Sequence, residues 1–200
     1  MTAAGYGGAV GRELNLPFDP IERAGARWET EFGPSGPMMV ATSIMRVQQL
    51  LLASFDALLK RYELTFARYE ALVLLSFSRD GELPMRVIGE RLMVHPTSAT
   101  NIVDRLVGQG LVTRRRNPTD GRGVLAAITG PGRRVAAEAT EELMAAGFGL
   151  DALAASERDA VFAALRRVRL AAGDFTDGCS GPGATPPGQR GGVAAPPGDD

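Results

Sequence analysis

The chain has 200 residues, a formal net charge of −1 and a hydrophobic fraction of 44%, which supplies enough apolar side chains for a packed core. The chain has one cysteine, Cys179, and one histidine, His95. These numbers exclude an intramolecular disulfide framework and the usual zinc sites. We see no run of about 18 apolar residues and no secretory signal, so we expect a cytoplasmic protein without a membrane span.

The N-terminal part begins with residues 1–17, which are rich in Gly and Ala and are expected to be disordered. Asp19 as N-cap and Pro20 at the first helical position then predict a short helix that ends at residues 33–34, Gly-Pro. Its apolar side recurs at helical spacing: Ile21, Ala24 and Trp28.

Residues 38–62 hold the longest uninterrupted helical pattern. One apolar stripe steps by three and four along it: Val40, Ile44, Val47, Leu51, Phe55 and Leu58. Three further residues at a step of seven widen the stripe: Met45, Leu52 and Leu59. Because this stripe is wider than one core face needs, we interpret the helix as packing also against a second subunit. The alternative is a core formed within one chain.

A further helix is expected after the cap Thr65. Its inner face is predicted as Phe66, Tyr69, Leu72, Val73 and Phe77. Asp80-Gly81 then makes a turn into residues 83–129, which read as a helix over 84–92 and a second helix from Pro96 to Gly110. Two strands follow at 111–116 and 123–129, joined by the basic, Gly-containing segment 117–122. This order predicts a helix-turn-helix with a hairpin behind it, which is a DNA-reading arrangement.

The C-terminal part is predicted to hold two helices and a tail. The first helix spans about 133–148, with apolar positions Val135, Ala139, Leu143 and Met144. Ser156 to Asp159 resembles a capping box with Asp at the third helical position. The last helix then carries four apolar residues: Val161, Phe162, Leu165 and Val168. Residues 173–200 contain 8 Gly and 5 Pro and cannot bury enough surface to fold, so we expect a disordered tail.

Positive charge is concentrated in residues 86–134, which hold nine arginines and three acids. A basic segment in a nearly neutral chain indicates local attraction to nucleic acid. The alternative, a solvated arginine-rich face, is less favoured because the segment coincides with the helix-turn-helix pattern.

The second helix of this segment divides into two faces. Its inner face is Ala99, Ile102, Val103 and Leu106, and its polar face carries Thr97, Asn101 and Arg105 at a spacing of four, with Ser98 and Thr100 alongside. Asn and Arg can pair bidentately with adenine and guanine, and hydroxyls near a helix start suit phosphate oxygens. His95 is expected to be the N-cap or a phosphate neighbour. We therefore predict that these five polar residues contact DNA.

The hairpin adds a second candidate contact. Arg114, Arg115 and Arg116 place charge on both strand faces, and Arg115 is predicted to contact DNA. At the tip, Asp120 is positioned to orient Arg122 toward the narrow minor groove, where the negative potential is strongest. The alternative for Asp120 and Arg122 is a surface ion pair, which contributes little by itself.

These segments together resemble the MarR family of winged helix-turn-helix regulators. The resemblance rests on LTFARYEALVLL, HPTSATNIVDRLVGQGLVTRRRNPTDGR and the closing residues 127–133, and it covers about a third of the chain. It implies a homodimer with interlocking terminal helices that binds a pseudo-palindromic operator. Family wings often read Asp-Arg-Arg; here Gly121 takes the middle position, so one phosphate contact is expected to be lost.

The added first helix and the phrase HPTSATN are similar to the urate-responsive branch of the family. That branch binds a small aromatic anion between the dimer helices and the DNA-reading lobe. The resemblance implies that Trp28, Glu70 and Arg114 hold an effector. Trp28 as ordinary core filler is the alternative.

We therefore predict a mainly α fold with a small β-hairpin wing, dimeric through N- and C-terminal helices. The expected division is a disordered N-terminus (1–17), an N-terminal helix with a dimerisation helix (18–62), a winged helix-turn-helix lobe (63–130), C-terminal dimerisation helices (131–172) and a disordered tail (173–200).

The predicted function is a ligand-responsive transcriptional regulator, a repressor released from its operator by a phenolic or urate-like ligand. A winged-helix protein-interaction module that never reads DNA is the alternative. No phosphate loop, metal cluster or nucleophile–base pair is evident, so we expect neither an enzyme nor a cofactor.

Overall fold

The computed structural model describes residues 14–118 and 123–176. They form two compact units, the first ending at Ala152 and the second beginning at Leu153. Of the two predicted disordered segments, residues 1–13 and 177–200 lie outside the described residues, and so does Cys179.

The described part of the first unit contains six α-helices and three strands: α1 (Pro20–Glu31), α2 (Gly36–Leu59), α3 (Phe66–Phe77), β1 (Glu82–Pro84), α4 (Met85–Arg91), α5 (Pro96–Gly108), β2 (Val112–Arg116), β3 (Val124–Ile128) and α6 (Gly130–Ala145). Short 3₁₀ turns follow α2 at Lys60–Tyr62 and α6 at Gly147–Gly149. The second unit contains α7 (Ala155–Ala171).

The starts of α1 and α3 use aspartates in different ways. Asp19 caps α1 as predicted, and its Oδ1 accepts the backbone N–H of Ile21 at 2.7 Å. At α3, Thr65 occupies the N-cap position without a side-chain capping bond. Asp56 of α2 takes that role, because its Oδ1 accepts the Phe66 N–H at 2.7 Å. The predicted N-cap position of Thr65 is therefore correct, but the side chain that accepts the capping hydrogen bond comes from another helix.

The two C-terminal helices begin earlier than predicted. α6 starts at Gly130, where the hydroxyl of Thr129 accepts the Gly132 N–H at 3.0 Å. α7 starts after Ala154, and the Glu157 carboxylate accepts the Ala154 N–H at 2.7 Å. Ser156 is therefore not the cap, because Glu157 already lies at the third helical position. The alanine side chain offers no acceptor, so only one half of a capping box is present.

Three predicted inner faces need correction. Phe77 is 84% exposed and Met144 is 64% exposed, and the buried positions at these ends are Leu75 in α3 and Leu143 in α6. In α1 the buried residue is Gly25, whereas Ala24 is exposed. An added Cβ at Gly25 would lie 2.6 Å from Met39 Sδ, so a side chain there would have to displace the Met39 side chain of α2.

The apolar stripe of α2 is buried only toward its C-terminal end. Phe55 and Leu59 are buried, whereas Val40, Ile44 and Val47 are exposed. By length and composition alone, the helix Gly36–Tyr62, with a mean hydropathy of 1.3, is also apolar enough to cross a membrane. Its C-terminal end packs into the protein core through Phe55 and Leu59, whereas the rest of the apolar stripe is uncovered in a single chain.

A three-stranded antiparallel sheet has the order β1-β3-β2. The hairpin β2–β3 was predicted, with Arg115 now opposite Leu125. β1 was not predicted: it pairs with the other edge of β3 and places Leu83 opposite Ala126. The wing is therefore connected to the start of α4 through β1, in addition to its connection to α5.

The core lies where α2, α3, α5, α6 and the sheet meet. Its largest fully buried side chains are Leu59, Leu72, Leu75, Ile88, Val103, Leu106, Val112 and Leu143. Gly132 closes one side of this core: an added Cβ there would lie 2.1 Å from the carbonyl oxygen of Leu111. Together, the helices and the small sheet confirm the predicted winged helix-turn-helix fold.

Candidate nucleic-acid interface

Helix α5 packs on the core through an apolar face, and its N-terminus is capped by a side chain. Ala99, Val103 and Leu106 are buried, as the sequence predicted, and Ile102 is half-buried. His95 is the N-cap, and its Nδ1 accepts the Thr97 N–H at 3.3 Å. α5 packs on α3, α4 and β2. Packing on one side leaves the opposite side of the helix available.

That opposite side holds the five residues predicted to contact DNA. The side chains are exposed on α5: Thr97, Ser98, Thr100, Asn101 and Arg105. Within the described part of the chain, none of these side chains makes a hydrogen bond or ion pair with another residue. Their donors and acceptors are thus available to an external partner, and the spacing of four places Thr97, Asn101 and Arg105 on one stripe.

The arginines of β2 are tied to neighbouring elements. Arg114 Nη2 lies 2.9 Å from Asp104 Oδ1 on α5. Arg115 Nη1 donates to Glu82 Oε2 on β1 at 3.1 Å, and the Arg115 side chain remains 66% exposed. Exposed pairs of this kind contribute about 0–1 kcal/mol each. The guanidinium of Arg115 can therefore turn to a phosphate at little cost, while its stem stays on the strand.

The tip of the hairpin includes Asp120 and Arg122, which lie outside the described residues, so the predicted minor-groove contact stays a prediction. The two ends of the loop are joined, because Asn117 N–H donates to the Gly123 carbonyl at 2.9 Å. The hairpin is therefore closed immediately before its tip.

The structure places the three predicted effector residues on three elements. Trp28 on α1 is 39% exposed and packs its ring on Phe32 at 5.0 Å, so it is not core filler within one chain. Glu70 lies on α3, where loss of hydration raises the pKa of its carboxyl above the ordinary value although the side chain remains accessible. Arg114 is paired with Asp104. No hydrogen bond or ion pair among the described residues joins these three side chains.

A cavity of about 610 Å³ lies between α3 and α6 and was not predicted. Its walls include Val73, Phe77 and Ala136, and Tyr69 Oη lies 3.0 Å from Thr140 Oγ1 at its side. Arg133 also lines it, and this guanidinium has no acceptor among the residues described. A cavity with apolar walls, hydroxyls and one cation can hold a small planar anion. The residues that line it follow one another at steps of one, three and four on two helices, a pattern that also fits ordinary core packing.

Two contacts of the interface also went unpredicted. Asp104 and Glu82 each receive an arginine from β2, and neither carboxylate is close to its partner in sequence. Because Arg114 and Arg115 are adjacent in a strand, the sequence indicated that they lie on opposite faces. It could not indicate which carboxylates they pair with. Among the described residues, no group of three His, Cys, Asp or Glu side chains is placed to hold a metal ion.

The fold and the exposed polar face of α5 define the class: a winged-helix regulator of transcription. Residues 62–123, from α3 through β2, match the sequence model of the MarR family. Sco5413, a MarR family transcriptional regulator from Streptomyces coelicolor, is 60% identical; the match covers 71% of this chain and 99% of that chain, with a TM-score of 0.67.

Two further relatives are more distant. The PcaV transcriptional regulator from Streptomyces coelicolor, solved with its natural ligand, is 30% identical over 68% of this chain and 93% of its own, with a TM-score of 0.55. The organic hydroperoxide resistance transcriptional regulator of Bacillus subtilis (strain 168) is 33% identical over 78 residues, which are 39% of this chain and 52% of that protein. The chain thus spans about half the length of this curated relative. With 60% identity over nearly all of a solved relative, the chain belongs to the MarR family of transcriptional regulators.

Proposed function

We propose that this MarR-family regulator is a repressor that binds a pseudo-palindromic operator as a homodimer and is released by a small aromatic ligand. The observation that carries the DNA-binding part is the polar face of α5, where Asn101 and Arg105 are exposed and have no partner among the described residues. A helix seated by apolar residues on one side and open on the other is the geometry of a recognition helix. Such a protein acts where the chromosome is, in the cytoplasm.

The homodimer is supported by apolar faces in each unit. In the first unit, α2 exposes Val40, Ile44 and Val47 along one stripe. In the second unit, α7 exposes Phe162 and Val168 among its apolar residues. Contiguous apolar faces on helices are typical of subunit interfaces, since a soluble monomer rarely leaves them open. Two copies would present two α5 helices to the two half-sites of one operator.

DNA binding is tested with the full chain and duplexes from the region upstream of its own gene. We expect a preference over random duplex and a loss of affinity of about tenfold or more as salt rises from about 50 to about 200 mM, since several phosphates are neutralised. Fluorescence anisotropy at several salt concentrations measures both. A dimer that binds a protein partner but shows no salt-sensitive preference among duplexes would replace this proposal with a protein-interaction module.

The effector is proposed to bind in the α3–α6 cavity, as a urate-like or phenolic anion. Arg133 supplies a cation without an acceptor in the described chain, and Tyr69 and Thr140 supply hydroxyls. The sequence-based alternative uses Trp28, Glu70 and Arg114. PcaV, a relative of this chain, has been solved with its natural ligand, which supports a ligand-responsive mechanism.

A thermal-shift series with urate and simple phenolates tests the effector site. We expect a concentration-dependent rise in Tm, because a ligand that binds only the folded state stabilises it. Arg133→Met should reduce that rise, whereas Trp28→Phe should leave it unchanged. The reverse pattern would favour the site around Trp28, and a flat response to all compounds would remove the proposed ligand class.

A further inference from the structure

The turn between α4 and α5 closes α4 with a Schellman motif. Val94 N–H donates to the Gly89 carbonyl at 3.0 Å, and Met93 N–H donates to the Glu90 carbonyl at 3.2 Å. This pair of hydrogen bonds requires a left-handed residue at position 93, where glycine is the usual choice. Met93 adopts that conformation, with φ +53°. The turn therefore holds a side chain that its own backbone disfavours.

The Met93 side chain contributes little to the core of a single chain, because it is 86% exposed. Packing within the chain thus does not explain why a methionine occupies a position that suits glycine. Residues in disfavoured backbone conformations cluster at sites of function. The conformation and the exposure together indicate that this side chain acts on a partner outside the chain.

Met93 lines an open groove of about 630 Å³ between α4 and the N-terminal part of α5, here the α4–α5 groove. Further apolar residues along it are Met85, Val94 and Pro96. Thr100, one of the five exposed residues of α5 that are predicted to contact DNA, also lines it. The groove is therefore continuous with the polar face of α5. A duplex bound to that face reaches the groove, since the N-terminal residues of a recognition helix contact the base edges.

The charges that line the α4–α5 groove balance each other. Arg86 and Glu90 lie four residues apart on α4 and form an ion pair with each other. Among the described residues that line the groove, no other side chain is charged. The groove thus has no net charge to attract a phosphate, and its apolar residues match an apolar group of the DNA. The base edges of the major groove present one such group, the C5-methyl of thymine.

We propose that Met93 contacts the C5-methyl group of one thymine in each operator half-site and is a specificity-determining residue. The methyl group packs in the α4–α5 groove against the Met93 side chain and the ring of Pro96. A flexible thioether side chain adapts to such a group, and removal of the methyl from water contributes to affinity. The inference rests on the DNA binding proposed above. It adds a base preference that hydrogen bonding by Asn101 and Arg105 does not supply.

Replacement of thymine by deoxyuridine tests the contact, because uracil lacks only the C5-methyl group. Fluorescence anisotropy compares the preferred duplex from upstream of the gene with duplexes that carry deoxyuridine at one thymine position at a time. At one position in each half-site, the affinity of the unsubstituted protein should fall about fourfold, as for the loss of one buried methylene. Met93→Gly should bind the thymine and deoxyuridine duplexes equally, because it lacks the side chain that contacts the methyl.

Two further variants separate the contact from folding. Met93→Leu keeps an apolar side chain at the turn and should keep the preference for thymine over uracil. Met144→Ala is the matched control, because Met144 is an exposed methionine of α6 that does not line the groove. This variant should discriminate between the duplexes as the unsubstituted protein does. In thermal melts, Met93→Gly should have a Tm no lower than that of the unsubstituted protein, since glycine suits the left-handed turn.

The outcomes separate this contact from the DNA binding on which it rests. If no duplex is preferred over random sequence, both proposals are wrong. If an operator is preferred but deoxyuridine lowers affinity at no position, only the Met93 contact is wrong, and an apolar segment of a second protein remains as the occupant of the groove. An equal loss on deoxyuridine duplexes in Met93→Gly would also overturn the contact. So would a weaker salt dependence of this variant, which would indicate a lost phosphate contact.

Discussion

The double variant Asn101→Ala/Arg105→Ala is expected to lose operator preference by about 2–6 kcal/mol, since each bidentate base contact contributes about 1–3 kcal/mol. Both side chains are exposed on α5 and neither has a partner in the described chain, so their removal acts on DNA contacts. Anisotropy titrations with operator and random duplex measure the preference. Affinity for random duplex should fall less, because phosphate contacts supply most of it.

The control for this variant is Arg27→Ala, which removes an exposed charge from α1. It should leave the ratio of operator to random affinity unchanged. Thermal melts of the double variant should match those of the unsubstituted protein, because neither side chain packs in the core. If the double variant kept its operator preference, α5 would not be the recognition helix.

Gly132→Ala is expected to destabilise the protein by about 3 kcal/mol, because overpacking of a dense core costs about 1–3 kcal/mol and sometimes more. The added Cβ would lie 2.1 Å from the Leu111 carbonyl oxygen and 2.9 Å from Ile128 Cγ1. The first contact is with backbone, which cannot rotate away as a side chain can. α6 would have to move off the sheet. Urea unfolding followed by circular dichroism gives the free energy.

Gly130→Ala in the same helix is the matched control. A Cβ at Gly130 meets only Arg134 Nη1, at 3.9 Å, which is an ordinary contact. This variant should be neutral or slightly stabilising, since alanine favours helix over glycine. Equal stability of the two variants would mean that α6 does not approach Leu111 as closely as described.

Helix α5 and the hairpin were predictable because their signals are local. Pro96 opens α5, and Gly110 follows its end with φ +71°, a conformation in which a side chain is strained. The apolar residues between them repeat at helical spacing. The strands β2 and β3 flank a Gly-containing turn. Each of these signals is contained within a few residues of the feature it specifies.

The features that escaped prediction depend on residues far apart in the chain. β1 has three residues, too few for a pattern, and it exists because β3 offers an edge. The cap of α3 comes from Asp56, ten residues before Phe66. The pairs of Asp104 with Arg114 and of Glu82 with Arg115 likewise need the folded arrangement. The spacing of Phe77 places it on the apolar side of α3. Spacing alone does not show how far along the helix other elements cover that side, so the exposure of Phe77 could not be predicted.

Strand β1 has a consequence for how operators and regulators change together. β1 pairs with β3 of the wing and leads directly into α4, and β2 packs on α5, so the wing and the two helices α4 and α5 form one packed unit. If α5 reads the operator as proposed, substitutions on its polar face would alter which bases are preferred without altering the distance between half-sites. In the proposed homodimer, changes in the apolar stripe of α2 would alter that distance and leave base preference intact. These two properties can therefore diverge independently among descendants of the same gene.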